Sequence, residues 1–191
     1  MVPTTETPTT IAPTEAPTEV TTTSGTALLS IYISEYGEGS SYNKWIELYN
    51  PNDVSVTLTG YKLVNYYNGN TEVEDKYVLA LDDVTIPANS TYILINAQAN
   101  ATLQAVAGQT SSYVINFNGD DAVVLTYNDV VVDIIGVYGE KPEVGYWTVG
   151  DGSTKDHTLV RVSTVNQGNA TFTASEWVSY AQDNFDSLGQ R

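Results

Sequence analysis

From Ala27 onward, apolar and polar residues alternate with a period of two. Extended backbone sends successive side chains to opposite faces, so this pattern predicts strands. In Leu29-Ser30-Ile31-Tyr32-Ile33-Ser34-Glu35, the alternation puts Leu29, Ile31 and Ile33 on one face. Over residues 44–49, Ile46 and Leu48 share one face while Trp45, Glu47 and Tyr49 share the other. Further strands are predicted over 60–67, 76–81, 91–96, 122–127, 130–137 and 157–162. Fourteen tyrosines, with many Val, Ile and Thr, suit pleated and half-buried surfaces.

Turn chemistry falls between these runs. Asn68-Gly69, Asn118-Gly119 and Asn128-Asp129 all tolerate the positive φ that tight turns demand. Residues 100–106 and 174–177 predict short helical turns, neither long enough to form a layer. Many short antiparallel strands joined in this way predict an all-β sandwich or barrel.

The pattern stops abruptly on the other side of Gly25. Val2-Pro3-Thr4-Thr5-Glu6-Thr7-Pro8 opens a tract of Thr, Pro, Glu and Ala that holds four of the seven prolines. Such a tract cannot bury enough apolar surface to offset its ordering entropy. Proline and repelling glutamates stiffen it, which predicts a disordered linker over 1–26 ahead of a folded domain over 27–191. No charged and then apolar run of signal-peptide type precedes the tract. The expectation is a tether, with a further module upstream.

Apolar residues make up 41% of the 191, enough for a sizeable interior. Seven Lys and Arg against 23 Asp and Glu leave a formal charge of −16. Few cations are available to displace counterions from a phosphate backbone, so nucleic-acid binding is not expected. The chain has no Cys, which removes thiol nucleophiles, Cys-ligated zinc and disulfides together. No apolar run approaches the roughly 20 residues that cross a bilayer.

Specific words in the chain go further. Ile33-Ser34-Glu35-Tyr36 with Asn43-Lys44-Trp45-Ile46-Glu47-Leu48-Tyr49-Asn50 resembles the opening of the lamin tail domain family. Leu58-Thr59-Gly60-Tyr61-Lys62-Leu63 resembles the family's next word. Asn116-Phe117-Asn118-Gly119-Asp120-Asp121-Ala122-Val123-Val124-Leu125, then Asp133-Ile134-Ile135-Gly136-Val137, resemble its bacterial branch. Thr154-Lys155-Asp156-His157-Thr158-Leu159-Val160-Arg161 and Ser175-Glu176-Trp177 complete the order, so the likeness covers about residues 28–190. The resemblance implies an immunoglobulin-like antiparallel β-sandwich, noncatalytic, with Trp177 as a closing core aromatic. A Thr/Pro spacer stands where animal lamins carry a coiled-coil rod, which resembles bacterial accessory modules of secreted or surface proteins.

Candidate chemistry is sparse. His157 is the only histidine, and Asp156 beside it points to the opposite strand face, so a triad is not expected and His157 reads as orienting a late strand. No Gly-x-Ser-x-Gly elbow and no phosphate-binding Gly-rich loop are present. Two carboxylates of glycosidase type are not excluded by counting, though none sits in a recognisable acid/base context. Calcium is the stronger alternative: Asp120 and Asp121 share one turn with Asn118, and Glu35 or Glu47 are candidate donors from elsewhere. The same turn is accounted for by local Asx hydrogen bonding alone.

Tyr36, Tyr42, Trp45, Tyr66, Tyr67, Tyr138, Tyr146 and Trp147 fall near predicted strand ends and loops, where ring faces stack on sugars or anchor a partner. Asn89-Ser90-Thr91, Asn100-Ala101-Thr102 and Asn169-Ala170-Thr171 are glycosylation-type triplets, incidental in a bacterial setting. The expected function is a noncatalytic module, extracellular or at the cell surface, that binds a protein or polymer. Monomeric behaviour within a larger protein is expected, without membrane insertion or a cofactor. A carbohydrate-binding module of a secreted hydrolase and a calcium-stabilised adhesion domain are the alternatives.

Overall fold

The computed structural model describes residues 30–191. The Thr/Pro tract expected as a linker and the start of the first predicted strand lie outside the described residues. Fourteen strands follow: β1 (Tyr32–Glu38), β2 (Lys44–Asn50), β3 (Val56–Thr57), β4 (Tyr61–Tyr66), β5 (Val78–Ala80), β6 (Thr85–Ile86) and β7 (Ser90–Ile95), then β8 (Gln109–Thr110), β9 (Ala122–Tyr127), β10 (Val130–Ile135), β11 (Thr148–Val149), β12 (Gly152–Ser153), β13 (His157–Arg161) and β14 (Trp177–Ala181). A single turn of helix, α1 (Ala101–Gln104), interrupts them, with 3₁₀ turns at Tyr67–Gly69, Asp75–Tyr77 and Ala174–Glu176.

Two sheets carry the architecture. One has six strands in the order β14-β13-β1-β2-β7-β8, the other four in the order β10-β9-β4-β5. Pairing is antiparallel except for β7 with β8, which the segment carrying α1 brings back in the same direction. Ile31, Ile33, Ile46, Leu48 and Leu94 from the first sheet meet Leu63, Val123, Leu125 and Ile135 from the second in the main core. This is the dry layer between two facing sheets that the alternation predicts. Leu58, Tyr61 and Trp177 are buried there too.

Strict alternation would send Glu35 inward beside Ile33 and Tyr36 outward. A β-bulge prevents this: Ile33 pairs with Leu48 but Glu35 pairs with Glu47, so Ser34 is an extra residue. The bulge reverses the phase of β1. Tyr36 then turns into the core, stacked on Phe117 at 4.7 Å, and its hydroxyl donates to the Thr154 carbonyl at 2.9 Å. Glu35 turns outward. At Asn128-Asp129 both residues have positive φ, 50° and 63°, and the predicted tight hairpin joins β9 to β10.

The outward face of the six-stranded sheet is itself covered. Trp45, Ile93 and Ile95 form a second apolar cluster with Leu103 of α1 and with Phe185 and Leu188 of the C-terminal segment. A Cβ on Gly37 would collide with the Trp45 ring, so the residue opposite Trp45 must be glycine.

A buried charge network ties the two sheets. The Asp133 carboxylate, on β10, accepts the Ile33 amide of β1 at 2.8 Å and the Asn169 amide at 3.1 Å. Arg161 of β13 pairs with that carboxylate, donates to the Ile33 carbonyl at 3.1 Å and reaches Glu176 at 2.6 Å. Its guanidinium lies 4.1 Å from the Trp177 ring centroid. Removing one member of a buried pair strands the other in low dielectric. Asp133→Ala is therefore expected to lower stability by about 3–5 kcal/mol, whereas Glu176→Gln, at a partly exposed site, lowers it by about 1 kcal/mol or less. Urea unfolding midpoints measure both, and equal small losses would contradict the assignment.

Candidate functional site

The acidic turn is built around Asp121. Its carboxylate accepts the Asn118 amide at 2.8 Å and the Asn68 amide at 2.8 Å, which closes one turn and fastens it to another. Burial raises the Asp121 carboxyl above its usual range, opposed by these two amide donors. Asp120 pairs with Lys141 at 3.3 Å and opens onto a small pocket with Glu38, Asn68 and Lys155. Glu35 lies elsewhere, in a groove on the outward face of the six-stranded sheet. Among the described residues no group of three or more His, Asp or Glu is placed to hold a metal ion. His157, at the start of β13, donates from Nδ1 to the Lys155 carbonyl at 2.6 Å, while Asp156 accepts from Gln182 at 2.8 Å. The two neighbours do not act together.

The bulge at Ser34 brings Glu35 and Glu47 directly opposite each other. Glu35 accepts from Trp45 Nε1 at 2.8 Å and from the Ser187 hydroxyl at 2.6 Å. Glu47 accepts from the Ser34 hydroxyl at 2.6 Å and the Gly189 amide at 2.6 Å. Both carboxylates thus latch the C-terminal segment onto the sheet, and each of their oxygens accepts a hydrogen bond. Both line an open groove of about 650 Å³ together with Tyr32, Tyr49, Tyr180 and Arg191. Arg191 donates to the carbonyls of Arg161 and Val162 at 2.6 Å and 3.2 Å and to the Tyr32 hydroxyl at 3.2 Å.

The aromatic residues divide in two. Tyr36 and Trp45, expected near exposed strand ends, are fully buried, Tyr36 because the bulge turns it inward and Trp45 because the C-terminal segment covers it. Tyr66 and Tyr138 form an edge-to-face pair at 4.8 Å on the other sheet. Tyr67 packs on Tyr77 at 4.6 Å, and Tyr77 on Tyr113 at 5.9 Å. The Lys76 ammonium sits 5.3 Å and 5.6 Å from the Tyr77 and Tyr113 ring centroids and pairs with Glu74 at 3.0 Å. Tyr113 is half exposed, and Glu72, Glu74 and Asp75 beside it face solvent. Loop 67–77 links the two groups, for the Tyr138 hydroxyl donates to the Thr71 carbonyl at 2.8 Å.

Tyr77 and Tyr113 do not stand out in the sequence. The period-two reading runs a strand through Lys76 and Tyr77, whereas a 3₁₀ turn there swings Tyr77 toward Tyr67. The available signal was the acidic cluster Glu72, Glu74 and Asp75 ahead of Val78, which favours a turn over a ladder. Tyr42 and Tyr146 are exposed, and Trp147 is half-buried against the backbone of Gly136.

Burial pushes the Glu35 carboxyl from 4.5 up to about 7, against the lowering pull of Ser187 and Trp45, with Glu47 adding like charge. Glu47 is raised as well, chiefly by burial, with Ser34, Gly189 and Arg191 opposing. Between 4.5 and about 7 the unfolded chain has released the Glu35 proton while the folded chain keeps it. Folding takes up a proton in that window, so this group's contribution to stability is lost as pH rises through it. The thermal midpoint should fall across that window. Glu35→Gln, neutral throughout, should remove a part of the fall on the order of 3 kcal/mol and melt above the parent at about pH 8. Parallel melting profiles would contradict the assignment.

A model of the lamin tail domain family matches residues 24–139. The matched range covers more than half the chain and takes in β1 to β10, with Asp133, Glu35, Glu47 and the tyrosines of the cluster. The words Thr154–Arg161 and Ser175–Trp177 fall beyond it, as do β11 to β14. No curated protein matches the chain. With its two facing sheets and this match, the chain belongs to the lamin tail domain family, whose members are immunoglobulin-like interaction modules that typically carry no catalysis.

Proposed function

We propose that this chain is an accessory module of a secreted or cell-surface protein, of bacterial type, that binds a protein or polymer without transforming it. The observation that carries this reading is the tyrosine surface around loop 67–77. Its rings lie outside the main core and none is required to close a sheet, so their exposed area is free for a partner. The paired carboxylates support it from the other side, because the two acids best placed for chemistry hold the C-terminal segment instead. Among the described residues no helix is long and apolar enough to cross a membrane. The Thr/Pro tract suits a spacer that carries such a module away from its neighbour.

The purified chain, passed over arrays of polypeptides and polysaccharides, should be retained by at least one of them. Tyr77→Ala with Tyr113→Ala should abolish that retention while the near-ultraviolet spectrum keeps the buried Trp45 and Trp177 signals. Turnover of glycosides or phosphoesters by the parent chain would overturn the noncatalytic reading. Retention that survives both substitutions would move the binding surface elsewhere.

A further inference from the structure

The tyrosine surface already holds a cation. Lys76 places its ammonium against two ring faces and one carboxylate at once, an arrangement in which the ring quadrupole and the Glu74 charge act in the same direction. The rings are not coplanar: Tyr67 and Tyr77 are inclined by 38°, Tyr77 and Tyr113 by 77°. A flat sugar ring needs a flat row of aromatics, and this surface has none. A narrow, flexible side chain ending in a cation fits between inclined rings, as Lys76 shows.

The charge balance points the same way. Glu72, Glu74 and Asp75 are exposed beside the rings, and the whole chain carries −16. Among the described residues Lys76 is the one cation over these rings, and its side chain is 41% exposed. It is therefore displaceable by a cation that brings its own chain of contacts.

We propose that the Tyr67–Tyr77–Tyr113 surface takes a lysine- or arginine-bearing segment of a partner protein, whose cation replaces Lys76 over the Tyr77 and Tyr113 rings. The inference rests on the interaction-module reading and names the partner's chemistry. Glu72, Glu74 and Asp75 receive the neighbouring basic residues, and their field speeds encounter with a positive partner.

The test uses the full chain and a short peptide of alternating lysine and glycine, titrated by calorimetry in about 0.15 M salt to screen diffuse attraction. Tyr113→Leu, at a half-exposed site, should weaken binding roughly two- to five-fold without moving the melting midpoint. Lys76→Gln should tighten it, and by more than Lys62→Gln does. The two changes remove the same charge, but Lys62 pairs with Asp129 rather than with the rings. Equal effects of the two lysine substitutions, or unchanged binding by Tyr113→Leu, would overturn the proposal. Tyrosine-dependent retention of an uncharged oligosaccharide, with none of the peptide, would overturn it too while leaving the module reading intact. Failure of every ligand in the wider array would instead count against the module reading itself.

Discussion

Seven cations serve a chain of 23 carboxylates, and the fold places three of them, Arg161, Lys44 and Arg191, where they cannot answer the surface charge. Arg161 is buried between Asp133 and Glu176, Lys44 is buried against Glu38, and Arg191 is engaged with backbone carbonyls. Lys62, Lys76 and Lys141 each hold one carboxylate at the surface. The interior network has structural work: where Ile33 needs a partner for both its amide and its carbonyl, Asp133 and Arg161 supply them. The buried Arg161–Asp133 pair holds only while both members are present. What remains outside is an anionic surface on which Lys76 is held over the Tyr77 and Tyr113 rings.

The two faces of the six-stranded sheet show how a single extra residue directs packing on both sides. Without the bulge at Ser34, Tyr36 would lie outside and Glu35 would be driven into an apolar layer. With it, the inner face closes over Tyr36 and Phe117, and the outer face gains a carboxylate pair that fastens the C-terminal segment. That segment seals Trp45 beneath Phe185, with ring centroids 5.1 Å apart. The face that a simple sandwich leaves to solvent is here a second interior. The tyrosine cluster around loop 67–77, which neither interior uses, is left at the surface.

Much of this was legible from residue types. Strand 122–127 and the hairpin at Asn128-Asp129 follow from alternation and from residues that tolerate positive φ, both local properties. The helical turns near 101–104 and 174–176 follow likewise, Asn100 capping the first by accepting the Leu103 amide at 3.1 Å. Short strands such as β3 and β6 were not legible, because two residues carry no periodicity and depend on a partner distant in sequence. The same limit applies to the proposed binding surface. Tyr66, Tyr67 and Tyr138 stand out by position, but Tyr77 and Tyr113 join them only through tertiary packing. Glu35 and Glu47 become a pair only through a register shift that no alternation announces.

Partners are proposed to meet this module at the tyrosine cluster and not in the groove beside the C-terminal segment. Backbone amide shifts of the isotope-labelled chain, followed as the lysine–glycine peptide is added, address this placement residue by residue. The largest changes should fall on Tyr67, Lys76, Tyr77 and Tyr113, with Glu35, Glu47, Ser187 and Gly189 unmoved. Changes concentrated on those four latch residues, or spread evenly over the molecule, would contradict it.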